Sequence, residues 1–157
     1  VVNLGSILIF SILSSLLSTT TKNIENSFLQ NNPKMLYSLF SSTNYLTISF
    51  PEPIVFSDQL SNQQAHFLFQ KIFSSYATFE FYSESDLTIH IKKESFIFKA
   101  RWSFRNKKNN NQYVFHIFFY LINERFQKTR ASPSLPRKKP ESFKDIWKIT
   151  EIRAEKF

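Results

Sequence analysis

Cysteine is absent from this sequence, and glycine occurs once, at Gly5. Each absence closes off a class of chemistry. Without cysteine there is no thiol nucleophile, thiolate zinc site, iron–sulfur cluster or disulfide. Without glycine past residue 5, phosphate-cradling loops, dinucleotide fingerprints and nucleophile elbows are excluded, because each needs positive φ or a close approach of bare backbone. The three histidines, His66, His90 and His116, lie far apart. No pair has the short spacing of a helical zinc site, so neither a metal nor a cofactor is expected.

What the chain has is aromatic bulk and positive charge. Its 157 residues include 19 Phe, enough to build one apolar core without a covalent staple. The net charge of +8 is unevenly placed: residues 1–91 carry three basic and six acidic side chains, and residues 92–157 carry seventeen and six. A basic C-terminal half suggests an anionic partner, against the plainer reading of a solvated basic face.

The first 21 residues differ from the rest. Leu4 to Leu17 is an uncharged apolar run, short for a membrane span but suited to the hydrophobic region of a signal peptide, and Ser18-Thr19-Thr20-Thr21 follows. Residues 1–21 are therefore expected to be a signal peptide or N-terminal membrane anchor. Residues 22–157 form a single exported domain, periplasmic or secreted, that meets the membrane only through this segment.

From Lys22 the spacing of Ile24, Phe28 and Leu29 predicts a helix, and Asn31-Asn32-Pro33 breaks it. Asn32 and Pro33 suit the cap and first position of a second helix, expected to run to about Phe40. Tyr45 to Phe50 reads as a strand and Ile54-Val55-Phe56 as a short return strand. Ser61-Asn62-Gln63-Gln64 is a capping box opening a helix to about Tyr76. Four strands follow. The first spans Phe79 to Ile91, with apolar odd positions. In the second, Phe96, Phe98, Ala100, Trp102 and Phe104 alternate with Lys99, Arg101, Ser103 and Arg105. After a Lys107–Asn111 turn, the third, Tyr113 to Ile122, is apolar on both parities, and the last runs from Lys144 to Arg153. Residues 125–143 between the last two strands hold three prolines and six cations, Arg125, Lys128, Arg130, Arg137, Lys138 and Lys139, a connection long enough to suggest a contact for an anion or partner.

This order of elements resembles the nuclear-transport-factor-2-like superfamily, and is most similar to its small exported bacterial members of unknown function. The resemblance covers about residues 23–154 and rests on Ile24 to Phe40, on Tyr45 to Phe50, and on Phe56 to Ala65 with the helix after it. It implies an α+β cone, in which N-terminal helices pack on a curved, mainly antiparallel sheet of about four to six strands. The loss of glycine and the basic Pro-containing insert depart from that pattern. The superfamily holds isomerases, dehydratases and non-catalytic binding modules, so the fold does not decide activity.

No catalytic residue is assigned. His116, flanked by Phe115, Ile117 and Phe118, is the one candidate acid–base group, with Asp58, Tyr113 or Tyr120 as partners; a hydrogen-bonded core or interface histidine is the plainer reading. Glu80, Glu84 and Asp86 read as a solvated edge. Alternation along the second strand separates its rings from its cations, which argues against nucleic acid as a partner. Val114, Phe118, Tyr120 and Ile122 would form a second apolar face on the third strand, and covering it suggests a homodimer. The resulting reading is a non-catalytic binding module for a small apolar ligand or protein partner. The alternative is a small hydratase- or isomerase-like enzyme with an acid–base residue in the cone.

Overall fold

A computed structural model describes residues 4–84, 95–124 and 147–157, with side chains from Ser15 onward. Helix α1, Leu4–Leu29, is continuous across the boundary expected at residue 21. Leu17, Thr20, Ile24, Ser27 and Phe28 form its buried stripe, spaced for one helix face. The buried hydroxyls of Thr20 and Ser27 donate to the carbonyls of Leu16 and Asn23, at 3.0 and 2.6 Å, so neither is left unsatisfied.

Asparagine does the work of the missing glycines. Asn31, at φ 47°, ends α1 in a left-handed cap: its N–H donates to Phe28 O, and that of Asn32 donates to Ser27 O. Asn32 then caps α2, Pro33–Tyr37, its side chain accepting from Met35 N at 3.0 Å. That helix is shorter than expected. Beyond Tyr37 the chain tightens into i→i−3 turns, Leu39 N–H donating to Leu36 O and Phe40 N–H to Tyr37 O. It then joins the sheet, Leu39 O accepting from Ile149 N–H and Ser41 N–H donating to Ile149 O.

Strand β1, Leu46–Phe50, pairs with β2, Phe56–Leu60, in a register that sets Phe50 opposite Phe56. Ile54 and Val55 therefore close the turn, both donating to Pro51 O at 3.1 Å, and the expected return strand begins only at Phe56. Ser61 and Gln64 form the capping box of α3, Asn62–Ser75, with both reciprocal bonds present at 2.9 and 3.2 Å.

The remaining strands are β3 (Tyr76–Ser83), β4 (Ser95–Asn106), β5 (Gln112–Asn123) and β6 (Trp147–Lys156). Asn110, at φ 60°, supplies the left-handed residue of the β4–β5 turn. The six strands form one curved, open sheet in the order β2-β1-β6-β5-β4-β3, antiparallel throughout except where β1 runs parallel to β6. A register shift between Thr78 and Glu80 turns Phe79 outward, correcting the expected parity; Phe81 points in and is buried. Residues 85–91, and so His90 and Asp86, lie outside the described residues, as do 144–146 and the six cations of residues 125–143.

The core sits between the sheet's concave face and the helices. Phe28 is fully buried at its centre, within 4.7–6.0 Å, centroid to centroid, of Phe69, Phe73, Phe81, Trp102 and Phe119. The Trp102 indole N–H donates to the Thr78 hydroxyl at 2.9 Å, which satisfies the only polar atom of that side chain.

Candidate functional site

Along β5, Phe115, Ile117, Phe119 and Leu121 are buried against the helices, while Val114, His116, Phe118, Tyr120 and Ile122 are half-buried on the outer face. His116 therefore does not enter the cone. Its Nδ1–H donates to Glu84 Oε2 at 2.7 Å, and Lys99 lies 3.4 Å from the same oxygen. Neither Asp58, exposed on β2, nor Tyr113, at the far end of β5, is bonded to it, and Tyr120 shares its face two positions beyond Phe118. Among the described residues the buried polar side chains are Thr20, Ser27, Ser41, Ser103 and Asn123, none of them titratable. His66, by contrast, sits in the first turn of α3, with Nδ1 3.3 Å from Pro33 O and its ring against Tyr37.

The outer face is an interleaved layer of rings and charges. Lys99 and Arg153 flank the Phe118 ring at 5.6 and 5.5 Å. Arg101 lies over Phe157 at 4.6 Å and donates to the Tyr82 hydroxyl at 3.1 Å. Within β4 the rings and cations do occupy opposite faces, as its alternation requires. The rings beside these cations come from β3, β5 and the chain end, so cations and aromatics share this surface after all. Sequence reasoning along single strands missed that association, because it arises only across strands.

A second feature had no sequence signal. Where the turn after β1, the end of α3 and the β4–β5 turn converge, they enclose an open cleft of about 310 Å³. Ile54, Phe56, Leu68, Ile72 and Tyr76 supply the apolar part of its lining, and Lys71, Ser75, Asn106 and Lys108 the polar part. Val55, which also lines it, is 68% exposed at φ 47°. A left-handed β-branched residue is strained by about 1–3 kcal/mol, so the surrounding turn imposes this shape at a cost. Tyr76 donates its hydroxyl to Pro53 O at 3.3 Å and packs edge-on to Phe104.

Burial, and secondarily the nearby Tyr113, raise the Tyr76 pKa above its ordinary 10.0. The folded state thus keeps the phenolic proton to higher pH than the unfolded chain. Stability from this group is level below pH 10.0 and falls as pH rises from there through the raised value. Tyr76→Phe is expected to flatten part of that alkaline decline. Denaturant midpoints between about pH 9 and 11 check it, and an unchanged slope assigns the decline to other groups.

No family model matches the sequence, and neither does any curated protein. Solved structures do match. A nuclear transport factor 2 superfamily protein from Salmonella enterica aligns over 94% of this chain and 92% of its own, with TM-score 0.62 and 10% identity. This is the nuclear-transport-factor-2-like fold. A ketosteroid isomerase-like protein from Erwinia carotovora is similar over 90% of this chain and 94% of its own, with TM-score 0.61 and 9% identity. A nuclear-transport-factor-2-like protein from Cytophaga hutchinsonii matches with TM-score 0.55 at 10% identity, covering 92% of this chain and 98% of that one.

In this version of the nuclear-transport-factor-2-like fold, aromatic side chains occupy the space that the sheet curves around. The open cleft described above lies at the end of that sheet, beside the C-terminus of α3. Among the described residues, no group of three or more His, Asp or Glu side chains comes together as a metal site.

Proposed function

We propose that the protein is a non-catalytic binding module that takes a small apolar ligand in the cleft between α3 and the turns beside it. The observation carrying this reading is the division of side chains. The core around Phe28 is closed by packed rings, whereas Ile54, Phe56, Leu68 and Tyr76 line open space. A cleft of about 310 Å³ lies at the small end of the range that ligand pockets occupy, roughly 300–1,000 Å³. An isomerase-like reaction would require an acid–base group facing substrate. His116 faces outward, and Tyr76 holds its proton, which suits it to donate a hydrogen bond rather than to shuttle one.

The module is proposed to work as a homodimer joined through the outer sheet face. Val114, Phe118, Tyr120 and Ile122 are half-buried there, and Ile97, half-exposed, lies beside Tyr120 on β4. The same face carries both Lys99, Arg101 and Arg153 and Glu84, Glu151 and Glu155. A two-fold interface opposes a patch to its own copy, so mixed charge suits it better than charge of one sign.

Export is proposed as well, with any leader ending upstream of Leu17 rather than at residue 21. Leu17 and Thr20 are 1% and 2% exposed in the α1 stripe, and removing them would leave a hole against the core. No helix among the described residues is long and apolar enough to cross a membrane. Native mass spectrometry of protein purified from its source tests the proposal as a whole. The expected spectrum shows a dimer, a bound small molecule lost on denaturation, and a chain that retains Leu17. A ligand-free spectrum, with no small apolar compound restoring a bound mass, would overturn the binding reading.

A further inference from the structure

We infer that the ligand of this cleft is an amphipathic carboxylate, with its apolar body on the Ile72–Tyr76 side and its anionic head between Lys71 and Lys108. The inference rests on the cleft being the binding site proposed above, and adds the chemistry of what it selects. The lining includes two lysines and no acidic residue. Lys71 comes from α3 and Lys108 from the β4–β5 turn, so two separate elements bring positive charge to one opening. Ser75 and Asn106 stand beside them, offering a hydroxyl and an amide to the same oxygen atoms.

One effect opposes an anion here. The cleft lies beside the C-terminus of α3, where the helix presents a partial negative charge of about half an electron. That end is already covered. Lys107 Nζ donates to Phe73 O at 2.8 Å, and the Lys107 backbone N–H donates to Ser75 O at 2.9 Å. With the helix end bonded to a third cation, the two lysines of the lining set the sign of the local field. A neutral apolar ligand would use the floor alone and leave both lysines idle; a cation would be repelled.

The body must be small and flat. Ile72 is buried in the floor, and the Tyr76 ring borders it. The volume suits a fused bicyclic ring or a short alkyl chain better than a long acyl chain.

The test compares 2-naphthoate with its neutral twin, 2-naphthamide, by amide chemical-shift titration of the full chain. Both are expected to shift signals of Ile72, Tyr76 and Asn106, with the carboxylate about tenfold tighter at low salt, as for a charge-assisted hydrogen bond at a half-open site. Raising the salt should narrow that gap, since exposed lysines are screened within about 10 Å at 0.1 M. Lys71→Met with Lys108→Met should reduce naphthoate binding to the level of the amide. Both side chains are exposed, so the fold should tolerate the change. Equal affinities for the two compounds in the unaltered protein would overturn the carboxylate inference and leave the cleft reading standing. Absence of binding by both would overturn the cleft reading, and this inference with it.

Discussion

Replacing Phe28 with alanine is expected to lower stability by about 4–5 kcal/mol, near the top of the range for a buried Phe. The magnitude follows from its position. Phe28 is fully buried and touches five rings, which belong to α3, β3, β4 and β5. Its removal loses the transfer free energy of the ring, the edge-to-face contacts, and the packing around a cavity that stiff neighbours cannot close. Native domains are stable by about 5–15 kcal/mol, so this single change removes about a quarter or more of the whole. At this chain length the melting temperature should fall by roughly 8–20 °C. Denaturant unfolding followed by tryptophan fluorescence measures it, because Trp102 packs edge-on against the same ring. A loss under 2 kcal/mol would mean that the centre of the cone repacks readily.

Phe118→Glu is expected to convert the proposed homodimer into a monomer while leaving each fold intact. In the single chain Phe118 is only half-buried, and Lys99 and Arg153 flank it. A glutamate there exchanges two cation–π contacts, each worth about 0.5–1 kcal/mol at such sites, for two ion pairs of similar size. Thermal stability of the monomer should therefore change by about 1 kcal/mol or less. At the interface the effect is far larger. Two-fold symmetry counts the substitution twice, and each new carboxylate would have to be desolvated, so dissociation should rise by about 100-fold or more. Phe67→Glu provides the control, since Phe67 is 58% exposed on α3, away from the sheet. Sedimentation across a concentration series reads the outcome. An unaltered protein that stays monomeric at every concentration would refute the dimer, and a dimeric Phe118→Glu variant would move the interface off this face.

Much of the fold was legible because its signals are local. The capping box at Ser61, the Asn31-Asn32-Pro33 break and the Lys107–Asn111 turn are each read within a few residues, where the backbone needs one particular donor, acceptor or φ. The alternation of β4 likewise reports which of its faces packs on the helices. The errors occur where pairing departs from that regularity. Phe79 is turned outward by the irregularity in β3. In β6, Thr150 stands unpaired between Ile149, opposite Leu121, and Glu151, opposite Tyr120. This shift lets Trp147 and Ile149 share the buried side with Ile152 and Ala154, a parity no uniform strand would have. Val55 is a third case: a β-branched residue gives no hint of positive φ, and only closure of the β1–β2 register requires it.

The candidate site was much less legible. His116 drew notice through its apolar neighbours, yet Phe115 and Ile117 face inward on odd positions, while His116 and Phe118 face outward on even ones. Glu84, its partner, had been placed with a solvated edge. Of the two lysines of the cleft, Lys108 belonged to the basic excess of residues 92–157 and Lys71 to the net-acidic half, and nothing local joined them.

By itself, the sequence of this protein determined the order of helices and strands, which side of α3 and β4 is apolar, where asparagine replaces glycine, and which glycine- and cysteine-dependent chemistries are excluded. Those properties depend on side-chain period and local hydrogen bonding, which act over a few residues. Tertiary structure alone decided that Lys99, Arg101 and Arg153 meet Phe118, Phe157 and Tyr82, that His116 bonds Glu84 outside the cone, and that Lys71 and Lys108 face one cleft. These meetings depend on strand register and on the packing of α3 against two turns, where residues tens of positions apart are brought within a few ångströms.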